Sequence, residues 1–342
     1  MSILPKVIFV VLLGLVLAGG ALVLEGQSSA AAVPGAAPAV QGEAPVLEEA
    51  PLAPEADRLR ELVDLRTDTS KTYELADGKR EWVGYLEPVH FKDASGAYRE
   101  IDNSLVKDPA TLDGVDYTYR NGANAYTVRF AKETHPSRLA RMELKGMALS
   151  FGLKGARSSE GVRTADTKSR VLSEETYGES LIIYPDALPG IDLVYQPRAT
   201  GLKEFIVLRR PGTPNEFTFN LVLEGLSMKQ AGGQLSFVDS EGHPVFRLGE
   251  LAAFDGAEAW TNEVTYQVKE SRDACQLTVS VARAYLDDPA REYPVVIDPT
   301  IDLWTPTADT YISSANPSTN YSSSSYLRTG RDSPYGIRRS FL

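Results

Sequence analysis

The chain has 342 residues, with 35 Lys and Arg against 46 Asp and Glu, a net charge of -11 and one cysteine. That balance argues against a nucleic-acid partner, whose phosphates demand a basic surface, and against simple adsorption to an anionic membrane. A single thiol, Cys275, excludes an internal disulfide.

The start of the chain is apolar. Lys6 is followed by an uncharged run from Val7 to Leu24, then Glu25 and the small residues Ser28-Ser29-Ala30-Ala31-Ala32. A basic start, an apolar run and small residues describe a secretory signal. The run of about eighteen residues also approaches bilayer-spanning length. Residues 1–30 are therefore expected to be a cleaved signal or an uncleaved membrane anchor, and either reading exports the remainder. Residues 31–54 are mostly Ala, Pro and Glu, with too little apolar surface to offset the entropy of ordering, and read as a disordered linker. The remaining stretch of roughly 280 residues suffices for one large or two moderate domains.

Glu55 to Leu65 places Leu59, Leu62 and Val63 for one side of a short helix. Beyond it, period-two alternation dominates. Tyr126–Phe130, Leu149–Leu153, Leu181–Tyr184, Ile191–Tyr195, Glu204–Leu208, Glu216–Leu223, Leu235–Val238, Val264–Val268 and Leu277–Val281 all read as half-buried antiparallel strands. Pro189-Gly190, Pro211-Gly212, Gly232-Gly233 and Glu241-Gly242 supply turns between them. Arg283 to Arg291 has room for one helical turn before the strand Pro294-Val295-Val296-Ile297. The expected fold class is all-β, an antiparallel β-sandwich-like domain over residues 55–302. Residues 303–342, about forty and rich in Ser, are too few to bury a core unaided.

A succession of motifs resembles a known group of proteins. Glu87-Pro88-Val89-His90-Phe91-Lys92 precedes Gly96-Ala97-Tyr98-Arg99-Glu100-Ile101-Asp102-Asn103. The closest stretch is Tyr184-Pro185-Asp186-Ala187-Leu188-Pro189-Gly190-Ile191-Asp192-Leu193-Val194-Tyr195, with Gly201-Leu202-Lys203-Glu204 after it. Tyr293-Pro294-Val295-Val296-Ile297-Asp298-Pro299 and Ala308-Asp309-Thr310-Tyr311-Ile312 complete the series. Together they resemble the N-terminal region of exported bacterial DNRLRE-domain and Rhs (YD-repeat) wall-associated-type proteins. The resemblance implies that residues 303–342 are the N-terminal fragment of a DNRLRE-like module, the start of a truncated jelly-roll-like sandwich. It further implies that the whole is a non-catalytic, secreted or cell-surface region that scaffolds or presents downstream modules of the same polypeptide.

Candidate chemistry is sparse. The three histidines, His90, His135 and His243, belong to no His-Glu-x-x-His zinc motif, and no Gly-x-Ser-x-Gly turn is present. His90 and His243 read as structural or surface residues. A calcium site needs several converging oxygens, and no Asp-x-Asp-x-Asp-Gly loop supplies them. No catalytic residue, metal ligand or cofactor is nominated. Asp192 reads as a turn-capping carboxylate or a partner of Lys203, with acid or metal-ligand roles as the functional alternative. Asp102 and Asp298, each after an apolar residue, are expected to bond their own chain two residues on. Cys275, in a strand-like run, reads as a small buried residue.

Trp304, Tyr311, Tyr321, Tyr326 and Tyr335 gather near the end among Asn, Ser and Asp. Aromatic faces with polar neighbours suit stacking under a sugar ring, and the same residues equally suit a sandwich core. A carbohydrate-binding module for cell-wall or extracellular polysaccharide is thus the alternative function. A glycoside hydrolase with a carboxylate pair is a third. Expected partners are polysaccharide and downstream modules, with no nucleic acid and with membrane only through an uncleaved leader. The expected location is extracellular or at the cell surface.

Overall fold

The computed structural model describes residues 58–85, 87–163, 180–257, 259–271, 274–304, 310–313, 330–332 and 336–341. The expected leader and linker lie outside the described residues. Among the described residues no helix is long and apolar enough to cross a membrane.

Two antiparallel sheets carry the fold, as the alternation implies. The first has eight strands in the spatial order Val264–Ser271, Ala274–Val281, Glu216–Glu224, Met147–Leu153, Ala140–Leu144, Thr127–Ala131, Val115–Ala123 and Asp102–Leu112. The second has eleven. Its main run is Val162–Arg163, Ile182–Leu188, Ile191–Arg198, Gly201–Leu208, Thr300–Leu303, Pro244–Leu248, Gln234–Val238 and Ser227–Ala231. Val295–Asp298 also pairs with Gly201–Leu208, and it holds Ala252–Phe254, which pairs with Trp260–Thr261. The architecture is all-β and sandwich-like.

Period two decides which side chains meet. Along Glu216–Glu224, Phe217, Phe219 and Leu221 are buried while Thr218 and Asn220 are half-buried. In the second sheet Ile191, Leu193, Tyr195, Leu202, Ile206 and Leu208 enter the shared core. Val194, Phe205 and Val207 point the other way, joining Leu181, Ile183 and Val296 in a second apolar cluster. Each fully buried side chain of this size contributes about 1.5–3 kcal/mol relative to exposure. Tyr195 sits at the centre of the aromatic packing. Its ring lies 5.8 Å from Phe130, 6.1 Å from Phe151 and 6.1 Å edge-on from Tyr184.

Buried tyrosine hydroxyls tie the sheets together. Tyr184 donates to the Ala131 carbonyl at 2.6 Å, and Tyr126 to the Arg198 carbonyl at 2.9 Å, with the Gly201 carbonyl also against it. A buried hydroxyl needs such a partner to avoid a desolvation cost of about 1–3 kcal/mol. At Gly201 the strand runs directly over its neighbour: a Cβ there would lie 2.3 Å from the Ile301 carbonyl oxygen and 2.8 Å from Asp302 Cα. Both obstacles are backbone. Gly201→Ala is expected to lower stability by about 2 kcal/mol or more, read as a fall in the urea midpoint with an unchanged m-value.

The short helix expected over Glu55–Leu65 does not form. Arg58–Glu61 is a strand and Val63–Leu65 a single 3-10 turn, with Leu59 and Val63 65% and 53% exposed. Cross-strand charge pairs explain the choice: Arg58 donates to Glu81 at 2.6 Å and Arg60 to Glu74 at 2.7 Å. These apolar residues have no core face to bury, so extended pairing prevails. The one helical turn expected after Ala282 is present, at Arg283–Leu286.

The outermost strand of the first sheet, Asp102–Leu112, contains Pro109, and its register against Val115–Ala123 breaks between Lys107 and Ala110. At the opposite margin, Val264–Ser271 ends in the exposed Lys269, Glu270 and Ser271. Thr310–Ser313, Gly330–Asp332 and Gly336–Phe341 form a separate three-stranded sheet.

Candidate functional site

Of the five aromatic residues expected to bind a glycan, Trp304 is the one whose side chain is described. It is 41% exposed, and its amide donates to the Val245 carbonyl at 2.9 Å. Tyr311 lies on Thr310–Ser313 in register with Ser340. Tyr321, Tyr326 and Tyr335 lie outside the described residues.

The carboxylates singled out in the sequence resolve into structural parts. Asp192 is buried and accepts the Asp186 amide at 2.7 Å, so it does cap the turn. Its basic neighbour is Arg209, at 3.5 Å, rather than Lys203. Lys203 stands opposite Gln196 in the ladder and pairs with Asp298 at 2.5 Å. Asp102 accepts the Ser104 amide at 2.9 Å, and Asp298 accepts the Thr300 hydroxyl at 3.1 Å, both two residues on. Cys275 is half-buried against Met228, and burial pushes its thiol up to about 11, which keeps it protonated and unreactive.

The structure brings together three groups that the sequence alone did not join. The first joins the N-terminal three-stranded sheet to the hairpin of His90–Lys92 and Tyr98–Glu100. Glu61 Oε1, His90 and a Glu100 oxygen lie within 4.8 Å of one another. Arg66 donates twice to Glu61, at 2.7 and 2.8 Å, and once to Glu100 at 3.1 Å; Lys71 donates to Glu100 at 2.8 Å. The Arg66 hydrogen bonds hold the Glu61 carboxyl below its ordinary range, and Lys71 does the same for Glu100. The His90 ring is completely buried.

The second group is an open cleft of about 450 Å³ lined by Arg157, Asp186, Pro189, Gly190, Arg209 and Arg210. The Pro189-Gly190 turn, with Gly190 at φ 79°, presents it. The Gly190 amide, aided by the charges of Arg209, Arg157 and Arg210, holds the Asp186 carboxyl low. Three guanidinium groups face two carboxylates, Asp186 and Asp192, which leaves the cleft locally positive.

The third is internal. Glu204 stands in register with Tyr195 on the core side of the second sheet and accepts its hydroxyl at 2.6 Å. A void of about 10 Å³ adjoins it, lined by Phe151, Phe219 and Leu277 among others. Burial pushes the Glu204 carboxyl up to about 8, so it is neutral through most of the physiological range.

No family profile matches the chain, and no solved structure matches it. Three relatives do. Over 273 residues, 78% of this chain, it is 28% identical to the tRNA nuclease WapA of Bacillus subtilis strain 168 and to the tRNA(Glu)-specific nuclease WapA of Bacillus subtilis subsp. natto. It is 27% identical over the same length to the tRNA3(Ser)-specific nuclease WapA of Bacillus spizizenii. The matched span is 11% of each relative, so the chain corresponds to about a tenth of their length.

These findings correct three expectations. The resemblance to DNRLRE-domain and Rhs proteins is replaced by similarity to nucleases named WapA. The non-catalytic presenting role, with its carbohydrate-binding and glycoside-hydrolase alternatives, gives way because the relatives are named for nuclease activity. The expectation of no nucleic-acid partner falls for the same reason. Net charge sums the whole chain and so does not report a local cluster of arginines such as this cleft.

Proposed function

We propose that this chain is part of an exported, surface-located nuclease that acts on tRNA. The observation that carries the reading is the similarity to three tRNA nucleases across 78% of the chain. The arginine cleft supports it chemically. Guanidinium groups present donors in a fork that matches phosphate oxygens, and Arg157, Arg209 and Arg210 converge on one opening. In this reading the cleft takes backbone phosphates, while Asp186 and Asp192 orient Arg209 for them.

The test uses the 342-residue chain and the product of the complete reading frame side by side. Specific cleavage of tRNA is expected in the complete product. The chain alone is expected to bind tRNA with a salt dependence that Arg209→Ala with Arg210→Ala lowers by about one to two units of log-log slope. Intact tRNA after incubation with the complete product would refute the nuclease reading. An unchanged slope in the double variant would remove the cleft from it.

A further inference from the structure

We propose that Glu61, His90 and Glu100 form a binding site for a divalent transition-metal ion of the zinc class. Two acidic side chains alone would not carry this, because exposed carboxylates gather on many surfaces. The buried imidazole does. His90 Nδ1 lies 2.7 Å from the Thr67 carbonyl. A carbonyl oxygen only accepts, so Nδ1 carries a hydrogen, and in the neutral ring Nε2 presents a bare lone pair. That nitrogen is fully buried, and among the described residues it has no hydrogen-bond partner. It points at Glu61 Oε1, 3.8 Å away, with the Glu100 oxygen inside the same 4.8 Å cluster.

A buried imidazole oriented by a backbone carbonyl through its other nitrogen is the arrangement that metal-ligating histidines adopt. One nitrogen and two carboxylate oxygens suit zinc-like ions better than calcium, which wants six or more oxygens. Ligands on one tetrahedral zinc stand about 3.3 Å apart at bond lengths near 2 Å. Closing the 3.8 Å separation therefore takes about half an ångström of side-chain movement. The fourth position is left to water.

The cluster already balances its charge, two carboxylates against Arg66 and Lys71. Metal entry accordingly displaces the Lys71 ammonium from Glu100 and opens the Arg66 fork on Glu61. The ligands come from two different places: Glu61 ends the first described strand, while His90 and Glu100 face each other across the hairpin. An ion held by all three clips the N-terminal sheet to the hairpin, so it stabilises the junction directly.

The full 342-residue chain, stripped with chelator, is titrated with Zn²⁺ against a chromophoric competitor and with Co²⁺ by visible absorption. One equivalent of tight Zn²⁺ uptake, a raised melting temperature and a tetrahedral Co²⁺ spectrum are expected. Glu100→Gln, at a half-exposed position compatible with folding, is expected to weaken binding at least about tenfold. Lys71→Met removes the competing cation and is expected to tighten it about tenfold. His90→Gln is expected to abolish the Co²⁺ spectrum. Absence of saturable uptake by the parent chain overturns the site, as does uptake that neither Glu100→Gln nor Lys71→Met alters. Should His90→Gln fail to fold, those two variants still decide the question.

Discussion

Unfolding free energy measured against pH is expected to fall by about 1.4 kcal/mol per unit between pH ~4.5 and ~8 on account of Glu204 alone, and Glu204→Gln is expected to remove that slope. The carboxyl sits between the sheets, opposite Tyr195 and surrounded by Leu149, Phe151 and Phe219. Burial lifts its proton affinity to about 8 from an ordinary 4.5, with the negative charge of Asp298 adding to the lift and the Tyr195 hydrogen bond opposing it. Below pH 4.5 folded and unfolded chains both hold the proton and the difference vanishes. Between the two values only the folded chain holds it, so each rise in pH favours unfolding. Above about 8 the slope ends, with ~4–5 kcal/mol forgone.

Glutamine keeps an oxygen to accept the Tyr195 hydroxyl and carries no proton to lose. The variant should therefore match the parent at pH 4.5 and exceed it by a few kcal/mol at pH 8. Urea denaturation at several pH values reads this directly. An identical slope in parent and variant would show that Glu204 is not a neutral interior acid.

Asp255→Ala is expected to cost about 3–5 kcal/mol, the loss seen when one member of a buried ion pair is removed. Asp255 is 2% exposed and gathers four donors. The amides of Ala257 and Ala259 reach one oxygen, both at 2.9 Å; the Arg291 guanidinium at 2.7 Å and the Glu292 amide at 3.2 Å reach the other. Arg291 also lies over the Tyr285 ring, 3.6 Å from its centroid. One carboxylate thus fixes the loop after Ala252–Phe254, the helical turn and the approach to Val295–Asp298.

Burial works against this carboxyl's charge, but Arg291 and the backbone amides outweigh it and hold its proton affinity below the ordinary 3.8. Its contribution is present above that value and is lost as pH falls through the lower, folded one. Removing Arg291 as well, in Asp255→Ala with Arg291→Met, should recover part of the loss, because the stranded guanidinium is part of the cost. A double variant as unstable as the sum of the two singles would assign the loss to the amides instead.

Much of the fold was legible from residue order. Nine runs with period-two alternation became strands, and Ile191, Leu193 and Tyr195 face one way with Asp192 and Val194 opposed, as turn and pleat require. What alternation cannot show is which strand sits beside which. Met147–Leu153 pairs with Glu216–Glu224 across more than sixty residues of chain, and nothing local encodes that choice. The hairpin of Asp102–Leu112 and Val115–Ala123 escaped the sequence reading although Asp113-Gly114 is a strong turn signal, both residues having positive φ (51° and 77°). Val115–Ala123 alternates polar with aromatic residues and Asp102–Leu112 is interrupted by Lys107-Asp108-Pro109, so neither strand carries an apolar run.

The candidate sites were less visible still. His90 gave no signal because its partners lie at positions 61 and 100, and only the pairing of strand and hairpin gathers them. Arg157 and Arg209 likewise meet across a turn whose glycine and proline spoke for backbone geometry alone. Glu204 sat in the motif Gly201-Leu202-Lys203-Glu204 without a sign that its side of the strand was the core.

The margins of the first sheet have a bearing on how such a protein behaves when crowded. A strand bearing Pro109 lacks one backbone donor, and the register break beside it bends the remainder away from a flat ladder. At the other margin Lys269 and Glu270 place charge where an incoming strand would have to align. Both features work against an incoming strand pairing along the margins of the wide sheet, and so against its serving as the seed of a fibre.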